Sequence, residues 1–66
     1  MTRLERKNWI INIENTASYI ASEIGDGIVE STLYRYGAGS IEDISDTDLT
    51  DLFSELYAIE ADLHSG

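Results

Sequence analysis

The sequence predicts an all-α protein: a three-helix bundle with a short extra helical turn before the last helix. Three observations point there. Leu49, Leu52, Leu56, Ile59 and Leu63 recur at spacings of three and four, which is one face of a 3.6-residue period. The chain contains no Pro, and its β-branched residues follow helical rather than alternating spacing. Helix-capping residues precede the apolar-periodic stretches, and glycines fall at the breaks between the first three segments.

The first helix is expected over about Arg3 to Glu23. Thr2 is its N-cap and Glu5 holds the capping-box position. Arg6, Trp9, Ile10, Ile13, Ala17, Ile20 and Ile24 share one face. Ile11 and Tyr19 lie two turns apart and point away from that face, which marks them as a candidate contact surface. Gly25 suits the helix end, where φ is often positive.

Asp26 is positioned to cap a second helix over about Ile28 to Tyr36. Val29, Thr32, Leu33 and Tyr36 form its narrow inward face. Tyr34 and Arg35 are expected to point outward, as an aromatic and a cation of the type favoured at interfaces. Gly37 ends this helix. Ser40-Ile41-Glu42-Asp43 repeats a capping pattern and predicts a single turn, with Ile41 and Ile44 closing the end of the bundle.

The last helix runs from a Ser45 cap to about Leu63, with Asp48 completing a capping-box-like pair. Asp46 and Asp48 place negative charge at the positive end of its dipole. Phe53 widens the apolar stripe, which suits packing against two neighbours. Asp48, Asp51, Glu55 and Asp62 make a second stripe beside it, expected to be solvated or to face a basic partner, with no later Lys or Arg to neutralise it. Glu60 projects among Phe53, Leu56 and Leu63. It is expected to be tied to Arg6, Arg35, the Trp9 indole N–H or a tyrosine hydroxyl, because a buried unpaired charge is costly.

Charge and composition narrow the function. Sixty-six residues suit one small domain with a modest core, for which self-association is a plausible aid. Without Cys there is no disulfide framework and no thiolate metal site. No signal peptide is read, and no apolar run is longer than that of Trp9–Ile11, so a cytoplasmic protein without a membrane span is expected. The net charge is −9, and the last 28 residues hold eight acids and no Lys or Arg. Such a surface repels nucleic-acid phosphates and anionic lipid, and attracts basic protein surfaces.

Catalytic and metal motifs fail on register. Counting an EF-hand loop from Asp46 puts Asp51 at the glycine position and Tyr57 at the terminal glutamate position; counting from Asp43 gives Asp48 and Ser54. His64, the only histidine, has no cysteine to complete a zinc site and no visible nucleophile to activate. Ala21 to Leu33 has the outline of a helix-turn-helix, but its second helix offers Glu30 and only Arg35 beyond it, a poor supply of charge for phosphate. No enzyme, cofactor, metal site or direct nucleic-acid contact is expected.

Residues 36–63, through YGA-x-SIEDI and ELYAIEADL, resemble short acidic proteins carried on mobile elements of Gram-positive bacteria. The resemblance covers under half of the chain and implies a setting, with no activity and no functional residue to carry over. The expected function is a non-catalytic protein-interaction module with an unidentified protein partner or a second copy of itself. Ile11, Tyr19, Tyr34, Arg35, Asp48, Asp51, Glu55 and Asp62 are its candidate contact residues. The alternative is an acidic mimic of DNA that occupies a nucleic-acid-binding protein, as antirestriction-type inhibitors do.

Overall fold

The structure, a computed structural model, describes residues 1–65. It contains three α-helices, α1 (Arg3–Ile24), α2 (Gly27–Arg35) and α3 (Asp46–Ser65), with a 3₁₀ turn at Ile41–Asp43 before the last. The all-α three-helix architecture with its extra turn is as the periodicity predicts. No helix among the described residues is long and apolar enough to cross a membrane.

Local chemistry sets most boundaries. Thr2 and Glu5 form the full capping box: each side chain accepts from the other residue's backbone N–H, both at 3.1 Å. These bonds hold the Glu5 carboxyl below its ordinary pKa. At the other end Gly25, at φ 90°, donates its N–H to the Ala21 carbonyl. The end of α2 is a Schellman motif. Gly37, at φ 73°, donates to the Tyr34 carbonyl, and Ala38 donates to that of Leu33.

Two expected caps differ. Asp26 stands at the N-cap of α2, which begins at Gly27, one residue earlier than expected; it accepts the Glu30 N–H through its carbonyl at 3.0 Å, its dihedrals are helical and its side chain makes no capping bond. Ser45 accepts the Asp48 N–H through its hydroxyl only at 3.4 Å, while its carbonyl takes the same N–H at 3.0 Å. No return bond from the Asp48 carboxylate is formed, so the start of α3 is half a capping box.

Ile13, Ala17 and Ile20 of α1, Leu33 of α2, Ile44, and Leu49, Leu52 and Leu56 of α3 form the buried core. The largest helix–helix interface joins α1 and α3. These two helices run parallel: Arg6 bonds Asp46 near their N-termini, and Tyr19 stacks on His64 near their C-termini. The shorter α2 runs back along them. Its Val29 lies beside Ala17 and Ala21, and Tyr36, just past its end, meets Glu55 in mid-α3. Ile24, placed on the inner face by its spacing, is 48% exposed. It closes α1 beyond the reach of the core, at a level where α2 is only starting.

Candidate interaction surface

A pair of parallel helices has a groove on each side. On one side of the α1–α3 pair, α2 and the Ile41–Asp43 turn fill the groove, with Val29, Leu33 and Ile41 packed on the core. The other side is lined by aromatic rings. Trp9 meets Phe53 edge-on, with centroids 5.5 Å apart and planes at 71°. Phe53 in turn lies 5.8 Å from Tyr57. Trp9 and Phe53 are half-buried, and Tyr57 is 56% exposed. Further along the same helices Tyr19 stacks on His64, with centroids 4.9 Å apart and planes at 24°. Four of the six aromatic side chains thus lie along this seam: Trp9, Phe53 and Tyr19 in contacts that join α1 to α3, and Tyr57 against Phe53 on α3.

Shallow clefts flank the rings. Glu5, Asn8 and Asn12 surround Trp9 at one end, and Glu60, Ala61 and His64 adjoin Tyr57 at the other. The expected tie of Glu60 is absent. Arg6 goes to Asp46, Arg35 goes to Glu55, and neither the Trp9 indole N–H nor a tyrosine hydroxyl bonds it. The penalty for an unpaired charge is avoided by position: Glu60 is half-exposed at the groove edge, and no buried polar side-chain atom among the described residues lacks a partner.

The sequence-predicted contact residues are scattered. Tyr19, read as pointing away from the packed face, is half-buried under His64, because the parallel course of α3 carries its C-terminus over that side of α1. Ile11 is 43% exposed in a separate cleft with Arg3, Lys7 and Glu14. Tyr34 is 83% exposed beside Gly37 and Gly39. Asp51 and Asp62 are exposed and Asp48 is half-buried; Asp51 and Asp48 act on the Tyr36 phenol through their charge, so they flank the end of α2 beside Glu55.

Arg35 and Glu55, read respectively as outward-facing and unneutralised, are each other's partners. Glu55 accepts from Arg35 through Oε1 and from the Tyr36 hydroxyl through Oε2 at 2.9 Å. The reversal at Gly37 brings the end of α2 against the middle of α3, a proximity that sequence distance conceals. Both bonds hold the Glu55 carboxyl below its ordinary pKa, that from Arg35 having the larger effect. Burial, followed by the bond to Glu55, pushes the Tyr36 phenol up.

By periodicity Trp9 belongs to the core stripe of α1 and Phe53 widens that of α3, while Tyr57 falls outside it. The i, i+4 pairing of Phe53 and Tyr57 on one helix was the available signal. Arg6, expected on the inner face of α1 and as a candidate partner of Glu60, has a different role. It donates to Asp46 Oδ1 at 2.7 Å and to the carbonyls of Glu42 and Ile44 at 2.9 and 2.8 Å, fixing the turn before α3 against α1. Among the described residues no three or more His, Asp or Glu side chains converge as metal ligands. Comparison with protein-family models, with curated proteins and with solved structures gives no match.

Proposed function

We propose that this protein is a non-catalytic interaction module whose docking surface is the aromatic seam between α1 and α3. One observation carries the reading: Trp9, Phe53 and Tyr57 form a continuous run of rings, Trp9 edge-on to Phe53 and Phe53 tilted against Tyr57, on a side of the bundle that no helix among the described residues covers. Rigid aromatic side chains bury large area at small entropic cost, and they dominate binding energy at protein interfaces.

A second reading rests on charge. Of the thirteen acids only Asp46 and Glu55 meet a guanidinium among the described residues, so α3 carries Asp48, Asp51 and Asp62 without an ion pair. That supports mimicry of DNA toward a basic enzyme, as does the resemblance of residues 36–63 to mobile-element proteins. The two readings are separated by capture from cell extract with two variants. Tyr57→Asp disables the seam, and Asp51→Asn with Asp62→Asn disables the acidic face. Loss of a partner with the first variant alone is the expected result. Retention by Tyr57→Asp and loss with the second would replace seam docking by mimicry.

A further inference from the structure

The seam has a charge pattern that specifies what fits it. Both clefts beside the rings contain a carboxylate, Glu5 at the Trp9 end and Glu60 at the Tyr57 end. Glu5 uses only Oε1, for the Thr2 N–H, and Glu60 forms no hydrogen bond or ion pair. Glu60 stands one turn before His64, which is level with Tyr19. It is therefore level with about residue 15 of α1, and the two carboxylates are separated by roughly 15 Å, or three helical turns, along the bundle.

Among the described residues the N-terminal ammonium acts on Glu5 and His64 shares the cleft of Glu60, but no Lys or Arg side chain of this chain is paired with either carboxylate. Arg6 and Arg35 are bound elsewhere, and Arg3 and Lys7 line the separate cleft with Ile11. A second copy docked by two-fold symmetry would place seam against seam, with four carboxylates, no Lys or Arg, and a charge of −9 on each copy. A partner that brings Lys or Arg to the two clefts supplies the side-chain cations that they lack.

We infer that the α1–α3 seam receives an amphipathic helix of a partner protein, with apolar residues spaced for one helix face and a Lys or Arg at each end of that stripe. The inference rests on the seam being the docking surface. The helix fills the open groove as a fourth helix, its apolar residues seat on Trp9, Phe53 and Tyr57, and its terminal cations meet Glu5 and Glu60. Anchors at i, i+3, i+4 and i+7 of a partner helix span about two turns, which fits between carboxylates roughly 15 Å apart and leaves a residue beyond each end of the stripe for a cation.

Trp9, the only tryptophan, reports on the seam directly. The probe is a Leu/Lys peptide of about 14 residues with leucines on one helix face, against a scrambled isomer and a Leu/Glu counterpart. The expected result is a saturable blue shift of Trp9 emission, a shift of the Trp9 indole N–H resonance, and binding about tenfold weaker for the scrambled peptide. Glu5→Gln with Glu60→Gln is expected to weaken binding about fivefold, and Asp51→Asn with Asp62→Asn less than about twofold. Gln at position 5 keeps the capping box, so the first pair tests charge rather than folding.

Equal weakening by the two pairs, or resonance shifts confined to Asp48, Asp51 and Asp62, would overturn the inference. A dimer by light scattering in which Tyr57→Asp restores the monomer would make the second copy the occupant, overturning the inference while leaving the seam as docking surface. Unchanged peptide binding and unchanged partner capture by Tyr57→Asp would overturn both.

Discussion

Trp9 stands edge-on to Phe53, and the two half-buried rings bridge the parallel helices α1 and α3 on the side away from α2. The edge of one ring against the face of the other adds about 0.5–1.5 kcal/mol beyond area burial. Phe53→Ala is therefore expected to cost about 1–2 kcal/mol. Leu52→Ala, one residue earlier and fully buried, is expected to cost about 2–5 kcal/mol. Urea unfolding followed by circular dichroism compares them. Equal costs would mean that Phe53 is a core residue and its exposed edge has no significance.

Arg6 makes three bonds to the segment from Glu42 to Asp46, two of them to backbone carbonyls. Only a planar guanidinium reaches all three at once. Arg6→Lys should lose about 1–2 kcal/mol of stability, whereas Asp46→Asn should lose less than about 1 kcal/mol because the carbonyl bonds survive. A larger loss in Asp46→Asn, measured by the same unfolding experiment, would show that the ion pair rather than the carbonyl bonds fixes this end.

Glu55 and Tyr36 give the stability a pH signature. A carboxyl lowered by Arg35 and Tyr36 contributes fully above its ordinary value of 4.5 and loses that contribution as pH falls through the lowered folded value. A raised phenol contributes fully below its ordinary value of 10.0 and loses that contribution as pH rises through the folded value. Urea midpoints across pH should fall less steeply on the acid side in Glu55→Gln, and less steeply on the alkaline side in Tyr36→Phe. Superimposable acid limbs for wild type and Glu55→Gln would refute the assignment.

Ile20 and Ile24 share a predicted face but have different surroundings, fully buried against 48% exposed. Ile20→Ala should cost about 2–5 kcal/mol, enough to unfold most of a small domain. Ile24→Ser should stay within about 0.5 kcal/mol. A destabilisation by Ile24→Ser close to that of Ile20→Ala would place the end of α1 inside the cooperative core.

The candidate surface was much less legible than the fold. Trp9 and Phe53 carry the apolar signal of core residues, and pattern alone gives no reason to leave them half-bare. Their exposure follows from α2 having only nine residues and lying on one side of the longer pair. Glu60 sits at a core-facing angle of α3, but the groove there opens to solvent, so its carboxylate needs no protein partner. Glu55, which the pattern put on a free acidic strip, is tied to the end of α2.

By itself the sequence determined the helices, their ends at Thr2, Gly25 and Gly37, and the buried set from Ile13 to Leu56. Each of these follows from contacts within a few residues or from a single periodicity. The tertiary structure alone decided which groove of the α1–α3 pair stays open, that Arg35 meets Glu55, and that Tyr19 lies under His64. Such pairings depend on where the reversal at Gly37 sends the chain and on the parallel course of α1 and α3. Neither is encoded in any local run of residues, because each is set by the joint packing of all three helices.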